Sequence, residues 1–320
     1  MATLILMVAR YWNLLTLGIT LVIASMVAGS NAALDIYGLF RDSAHRVLPA
    51  YGDQRLAKYL LSARYVPSNF DGVLIGSSVS VNWKMGGMRS FRIYNESVNG
   101  GNFPEGKRLL DRVLESPRVR LVLLVVHPYL TSSHDFKTVQ LNSRQVWGAL
   151  GSRNLLDAYK EIVKIRFGLK TQTADGAGAE DFEHEPKKLM PRIAAIMRPG
   201  QPIELDPIAV EQYRMAIAEL HAQNIRVVFV IPPTVERIFA LKRKEFLEYN
   251  RIIMEGAARG DLVIDFTTDK YREFRADETN FSDGVHLTRP GAARLVALLD
   301  EQLEALKISE TDSRSSGSKL

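Results

Sequence analysis

"FDGVLIGSSVSVNW", Phe70 to Trp83, carries the reading of the fold. A short apolar run of strand length, "GVLIGSS" (Gly72 to Ser78), stops abruptly at a glycine and two hydroxyls, Gly76, Ser77 and Ser78. Strands inside a parallel sheet are apolar on both faces, and ligand sites form outside their carboxyl ends. Glycine permits a sharp turn at such an end. Ser78 is then either an ordinary loop residue or a nucleophile at the edge of a sheet.

Further along, the same kind of segment recurs. "FRIYNESV" (Phe91 to Val98), "VRLVLLVVHPYL" (Val119 to Leu130), "IRVVFVIPP" (Ile225 to Pro233) and "DLVIDFTT" (Asp261 to Thr268) read as four more strands. Helical spacing of apolar residues lies between or after them: Pro104 to Ser116, Asp206 to Asn224, Thr234 to Gly260 and Pro290 to Leu306. Strands alternating with helices predict an α/β fold, a three-layer α/β/α sandwich on a mostly parallel sheet. The expected organisation is an N-terminal apolar segment (1–33), a connector (34–70) with one amphipathic helix near Gln54 to Ala63, a domain (71–306) and a disordered tail (307–320). Within the domain, 134–205 reads as an insertion, helical over Leu155 to Phe167 and mobile over Thr171 to Lys188, because a structureless loop of that length is rare inside a compact domain.

Composition excludes several classes. Lys and Arg number 41 against 36 Asp and Glu, a net +5. The densest basic cluster, "LKRKEF" (Leu241 to Phe246), has acidic neighbours and reads as a solvated helix face, so nucleic acid is not an expected partner. With no cysteine, thiol catalysis, disulfides and thiolate metal sites are ruled out. No G-x-G-x-x-G follows a strand, and His184-Glu185 lacks H-E-x-x-H spacing, so neither a cofactor nor a metal is expected.

"YWNLLTLGITLVIASMVAG" (Tyr11 to Gly29) contains no charge, and about 20 apolar residues span a bilayer. Three readings remain open: an uncleaved signal anchor, a signal peptide cut near "SNA" (Ser30 to Ala32), and a buried helix of a soluble esterase. The anchor is the favoured one, because the apolar stretch exceeds a signal peptide's usual core. It implies a single-pass protein of the cell membrane with its domain in the periplasm or outside the cell.

The segment "NFSDGVHLTRPGAARL" (Asn280 to Leu295) follows the fifth strand. Asp283 precedes His286 by three residues, so a turn between them would let the carboxylate hold one ring nitrogen and leave the other free. Serine is inert near neutral pH without such a base. Ser78, His286 and Asp283 are therefore the candidate nucleophile, base and orienter.

"IGSS", "IYNESVNGG" (Ile93 to Gly101) and "SDGVHLTRPGAARL" resemble three sequence blocks of the SGNH/GDSL hydrolase superfamily, over roughly Asp71 to Leu306. The resemblance implies a flavodoxin-like sandwich, the triad Ser78, Asp283 and His286, and an oxyanion hole from the backbone amides of Ser78 and Gly100. The anchor, "YGLF" (Tyr37 to Phe40), G-S-S and "DGVHL" resemble the membrane-anchored branch, which includes the D-alanine transfer protein of lipoteichoic acid synthesis and alginate O-acetyltransferase-like proteins. That likeness implies acyl transfer or deacylation on an extracytoplasmic glycan or envelope polymer. Its partners would be an acyl donor, a hydroxyl acceptor and a membrane-bound acyltransferase. The third block of the superfamily, G-x-N-D, is replaced by "VVHPYL" (Val125 to Leu130) and lacks its asparagine. His127, Asn99 or Asn102 could substitute. The rival reading, a non-catalytic partner of a polysaccharide machine, draws its support from that missing residue.

Overall fold

The structure, a computed structural model, describes residues 2–41, 53–131, 148, 151, 153–171, 175–180 and 203–317. Helices α1 (Ala2–Leu34), α2 (Gln54–Leu61) and α3 (Tyr65–Asn69) precede strand β1 (Gly72–Ile75). Then come β2 (Ile93–Asn95), α4 (Phe103–Leu114), β3 (Leu121–Val125) and the short α5 (Pro128–Thr131). The insertion contains α6 (Arg153–Arg166). It is followed by α7 (Pro207–Ala222), β4 (Arg226–Ile231), α8 (Glu236–Leu241) and α9 (Arg243–Ile253). Strand β5 (Leu262–Asp265), α10 (Arg272–Ala276) and α11 (Arg289–Gly317) complete the order.

The five strands form one sheet in the order β2-β1-β3-β4-β5, parallel at every pairing. Gly72 of β1 aligns with Ile93 on one side and Leu121 on the other. From β1 the chain first adds a strand on one side and then crosses to the other, and such a reversal opens a crevice at the strands' carboxyl ends. All residues of β1 and β3 are buried, and all of β4 except Arg226, so helices cover both faces. Their apolar runs are continuous for that reason.

The flanking helices begin where their caps dictate. Asn102 accepts from the Glu105 amide and Pro104 follows; Asp206 accepts from the Ile208 amide and Pro207 follows. Phe103 of α4 packs on Tyr213 of α7 with ring centroids 4.4 Å apart. On α11, Ala292, Leu295, Val296, Leu299 and Leu303 are buried at helical spacing. Asp300 of that helix accepts from the amides of Arg89 and Ser90, at 2.9 and 3.0 Å, fixing the approach to β2.

Several boundaries differ from expectation. Strand β2 is only Ile93–Asn95, because Ser97 turns back to bond the Asn95 side chain. The long helix expected over 234–260 divides at Lys242 into α8 and α9. Segment 34–70 is more than a connector: Tyr37, Leu60, Tyr65 and Val66 are buried in the main core. Residues 175–180, expected to be mobile, pack on the edge strand, where the Asn95 amide donates to Ala177 O at 2.7 Å. Gly178, at φ +87°, lies so close that a Cβ would sit 2.4 Å from Asn95 O. The rest of 171–188 apart from Thr171 lies outside the described residues. Helix α11 runs to Gly317, past the Leu306 end expected, since no proline follows Pro290 to stop it.

Helix α1 is long and apolar enough over Ala9–Leu34 to cross a membrane, judged by length and composition. It is not a core helix, because residues 9–30 are exposed throughout. Beyond its end Asp35 turns the chain, accepting from the amides of Leu39, Phe40 and Arg41.

Candidate active site

Ser78 opens a turn directly beyond β1 and is partly exposed. The turn is held by the amide of Ser80, which donates to Ser77 O at 3.0 Å, and that of Trp83, which donates to Ser80 O at 3.1 Å. Gly76 is required by close approach: a Cβ there would lie 2.0 Å from Ser80 Oγ and 2.6 Å from Ser97 Oγ. Those two hydroxyls bond each other at 2.7 Å, joining the turn after β1 to the turn after β2. Ser77 shapes the turn through its carbonyl, while its buried hydroxyl has no partner.

Segment 281–287 folds into a tight loop closed by a bridge between Phe281 and Leu287 and by the Ser282 amide donating to His286 O at 2.8 Å. Inside it, Asp283 Oδ1 accepts from the amides of Val285 and His286, at 2.9 and 2.7 Å. This is the turn that three-residue spacing required. It leaves Asp283 Oδ2 2.7 Å from His286 Nδ1, and His286 Nε2 2.9 Å from Ser78 Oγ. Asn82, in the serine's turn, donates to Leu287 O at 2.8 Å and locks the two segments together.

Electrostatics agree with that geometry. Burial pushes the Asp283 carboxyl up, but the His286 ring and the two amides outweigh it and hold the group at about 2. The carboxylate is thus ionised near neutral pH. His127, two residues beyond β3, is buried, and burial foremost, with His286 second, pushes its pKa down to about 3. It is neutral. Its Nδ1 accepts from the Tyr129 amide at 3.2 Å, so its proton is on Nε2, which is buried and has no hydrogen-bond partner. The Tyr129 ring neighbours both histidines, with centroids 4.8 Å from His127 and 6.0 Å from His286.

Of the residues singled out in the sequence, the structure brings Ser78, His286 and Asp283 into one hydrogen-bonded chain. Gly100 has the left-handed φ of +62° that glycine favours. Neither its amide nor that of Ser78 has an acceptor among the described residues. Asn102 is occupied as the cap of α4. Asn99 is exposed and held by its backbone, its amide donating to Gln54 and its carbonyl accepting from Arg55. Neither side chain is therefore committed to the serine.

Sequence reasoning missed the residues that join the loops. Asn95 Nδ2 donates to Ser80 O at 2.7 Å and to Trp83 O at 3.0 Å, and its Oδ1 accepts from the Ser97 amide at 2.9 Å. Its place after a buried strand was visible, but its partners lie in another segment. Among the described residues no group of three His, Asp or Glu side chains is arranged to hold a metal.

No family model matches the chain, and a search of curated proteins found no match. Among solved structures, a candidate platelet activating factor from Streptococcus pneumonia matches with a TM-score of 0.45 at 13% identity, covering 79% of this chain and 92% of that one. A lipase/acylhydrolase from Enterococcus faecalis matches with a TM-score of 0.36 at 16% identity, over 73% and 95% of the two chains. Likenesses of this size add nothing to the chemistry, which rests on the distances around Ser78.

Proposed function

We propose that this protein is a serine-dependent acyl esterase or O-acyltransferase. The observation that supports it is the unbroken chain Ser78 Oγ, His286 Nε2, His286 Nδ1, Asp283 Oδ2, with links of 2.9 and 2.7 Å. His286 removes the Ser78 proton as Oγ bonds the acyl carbon, and Asp283 orients the ring and stabilises the imidazolium. Collapse of the tetrahedral adduct breaks the bond to the leaving alkoxide, which takes the proton from His286 Nε2. Water or an acceptor hydroxyl then gives its proton to the same nitrogen and attacks the acyl-serine; the second adduct breaks its bond to Ser78 Oγ, which takes the proton back from Nε2.

The negative oxygen of the adduct is held by the amides of Ser78 and Gly100 and by Nε2–H of His127. A buried donor without a partner is costly in a resting protein. An oxyanion brought within reach of it would supply the missing acceptor, and one such donor contributes on the order of 10² to 10³ in rate. His127 thereby takes the role that the absent asparagine left open.

The apolar, exposed α1 supports a membrane anchor; the domain is proposed to lie outside the cytoplasm, with a glycan or other envelope polymer carrying the acyl group or its acceptor hydroxyl. A membrane-bound acyltransferase would be the donor-side partner. The test is a fluorophosphonate probe applied to the full chain beside Ser78→Ala and His286→Ala. Adduct at Ser78, absent from both variants, is expected. Wild type labelling no faster than Ser78→Ala across pH would sink the enzyme and favour a non-catalytic partner protein.

A further inference from the structure

Helix α6 buries one face and exposes apolar residues beside it. Leu155 and Ala158 are buried, and Tyr159 packs against the core beside them. About a quarter-turn round from that face Leu156 and Val163 are about half exposed, and the helix ends in a hydrophobic tip. Gly168, at φ +71°, donates its amide to Ile165 O at 3.0 Å, and Leu169 donates to Lys164 O at 2.8 Å. This left-handed glycine cap stops the helix and turns the chain. It leaves Phe167 75% and Leu169 78% exposed, side by side. Large apolar residues that exposed, at successive positions round a turn, mark an interaction site more than a scattered surface.

The charge around the tip is one-sided. Between Arg153 and Lys170 stand five cations, Arg153, Lys160, Lys164, Arg166 and Lys170, against Asp157 and Glu161. Lys164 and Lys170 reach Glu161, and Arg153 and Lys160 reach Asp157, so four of the five cations share two carboxylates and a net charge of +3 (five minus two) remains along the segment. Exposed aromatic and aliphatic side chains ringed by lysine and arginine have the chemistry of a segment that lies in the headgroup layer of an anionic bilayer.

Position points to the same partner. Tyr159 Oη donates to Asn31 Oδ1 at 3.0 Å, so α6 is docked on the last turn of α1. At 1.5 Å per residue, Phe167 lies roughly 12 Å along the helix from Tyr159. The run of large apolar residues in α1 stops at Val27 and is followed by Ala28, Gly29, Ser30 and Asn31, with the first charge at Asp35, so Asn31 falls near the boundary of the hydrocarbon layer if α1 spans it.

We infer that α6 is a second membrane contact: its tip, Phe167-Gly168-Leu169, inserts into the headgroup region of the leaflet from which α1 emerges, and its cations pair with anionic lipid. This rests on the reading of α1 as a membrane span and not on the chemistry at Ser78. It would hold the domain at a set height and angle over the bilayer instead of letting it swing on Asp35.

The chain contains no cysteine, so a single introduced one reports alone. Spin labels at Phe167→Cys, Leu21→Cys and Lys244→Cys in the full chain, reconstituted in phosphatidylcholine–phosphatidylglycerol nanodiscs, would be tested for collision with oxygen and with a water-soluble nickel chelate. Leu21 lies in α1 and Lys244 is exposed on α9. The expected result is an oxygen-to-nickel collision ratio several-fold higher at Phe167 and Leu21 than at Lys244, with the Phe167 ratio falling when the anionic lipid is omitted. A Leu21 label in the bilayer with a Phe167 label as wet as Lys244 would overturn the inference and keep the anchor. A wet Leu21 label would remove the anchor and the inference together. A Phe167 label shielded from both reagents would mean that protein covers the tip, which also overturns it.

Discussion

Lys58 Nζ donates to Ser97 O at 2.6 Å, and to Asn95 O at the same distance, from a side chain with no solvent exposure. Lys58 belongs to α2, ahead of the sheet, and its two acceptors are in the last residue of β2 and in the turn that leads to Gly100. Between them, Glu96 accepts from Ser62 Oγ at 2.7 Å and is also buried. Burial pushes Lys58 down, against the opposing pull of Glu96, and pushes Glu96 up, against Lys58 and Ser62. With Arg55 on Asn99 O and Gln54 on the Asn99 amide, α2 holds the whole loop from Asn95 to Asn99.

Replacing Lys58 with methionine fills similar space but leaves two carbonyls without a donor and Glu96 without its charged neighbour. Losses of this kind cost about 3 kcal/mol. Denaturant unfolding of the full chain should show that drop, and probe labelling at Ser78 should slow in the molecules that remain folded.

Gly76→Ala places a methyl against Ser80 Oγ and Ser97 Oγ, with Val125 Cγ2 3.1 Å away. The hydroxyl pair must separate, and overpacking of this sort costs about 1–3 kcal/mol. Ser78 moves with the turn. Labelling should fall at temperatures where circular dichroism still reports the native fold.

Asp283→Asn keeps an oxygen for the amides of Val285 and His286 but removes the charge that selects the His286 tautomer. A fall in labelling rate on the order of 10⁴ is expected.

The same variant carries an acid-stability signature. The folded Asp283 carboxyl lies at about 2, below its ordinary 3.8, so its contribution is fully present above 3.8 and is lost as pH falls through about 2. The difference in unfolding free energy between wild type and Asp283→Asn should shrink across that window by about 2 kcal/mol. A difference independent of pH would contradict the pairing.

His127→Phe separates a donor from a packing residue. The ring volume stays and the buried unpartnered N–H disappears, but the Tyr129 amide loses its acceptor Nδ1. Labelling should slow on the order of 10², while unfolding free energy falls by no more than about 1–3 kcal/mol. A histidine that only packs would change neither rate nor pH profile.

The strands and their parallel arrangement were legible because burial on both faces imposes unbroken apolar runs such as "LVLLV" (Leu121 to Val125). Helix starts at Asn102 and Asp206 were legible because capping is local. The Asp283–His286 pair was legible because its turn spans three residues. The break at Lys242 was not, since no proline or glycine marks it.

Local sequence therefore determined the α/β class, the apolar N-terminal helix and the candidacy of Ser78, Asp283 and His286. Only tertiary structure decided that Ser78 lies 2.9 Å from His286, that Asn95, Asn82 and Lys58 join the loops around it, and that α6 rests on Asn31. The reason is physical. Strand burial and capping are set by neighbours along the chain, whereas these hydrogen bonds join segments that the chain brings together only after the sheet has formed.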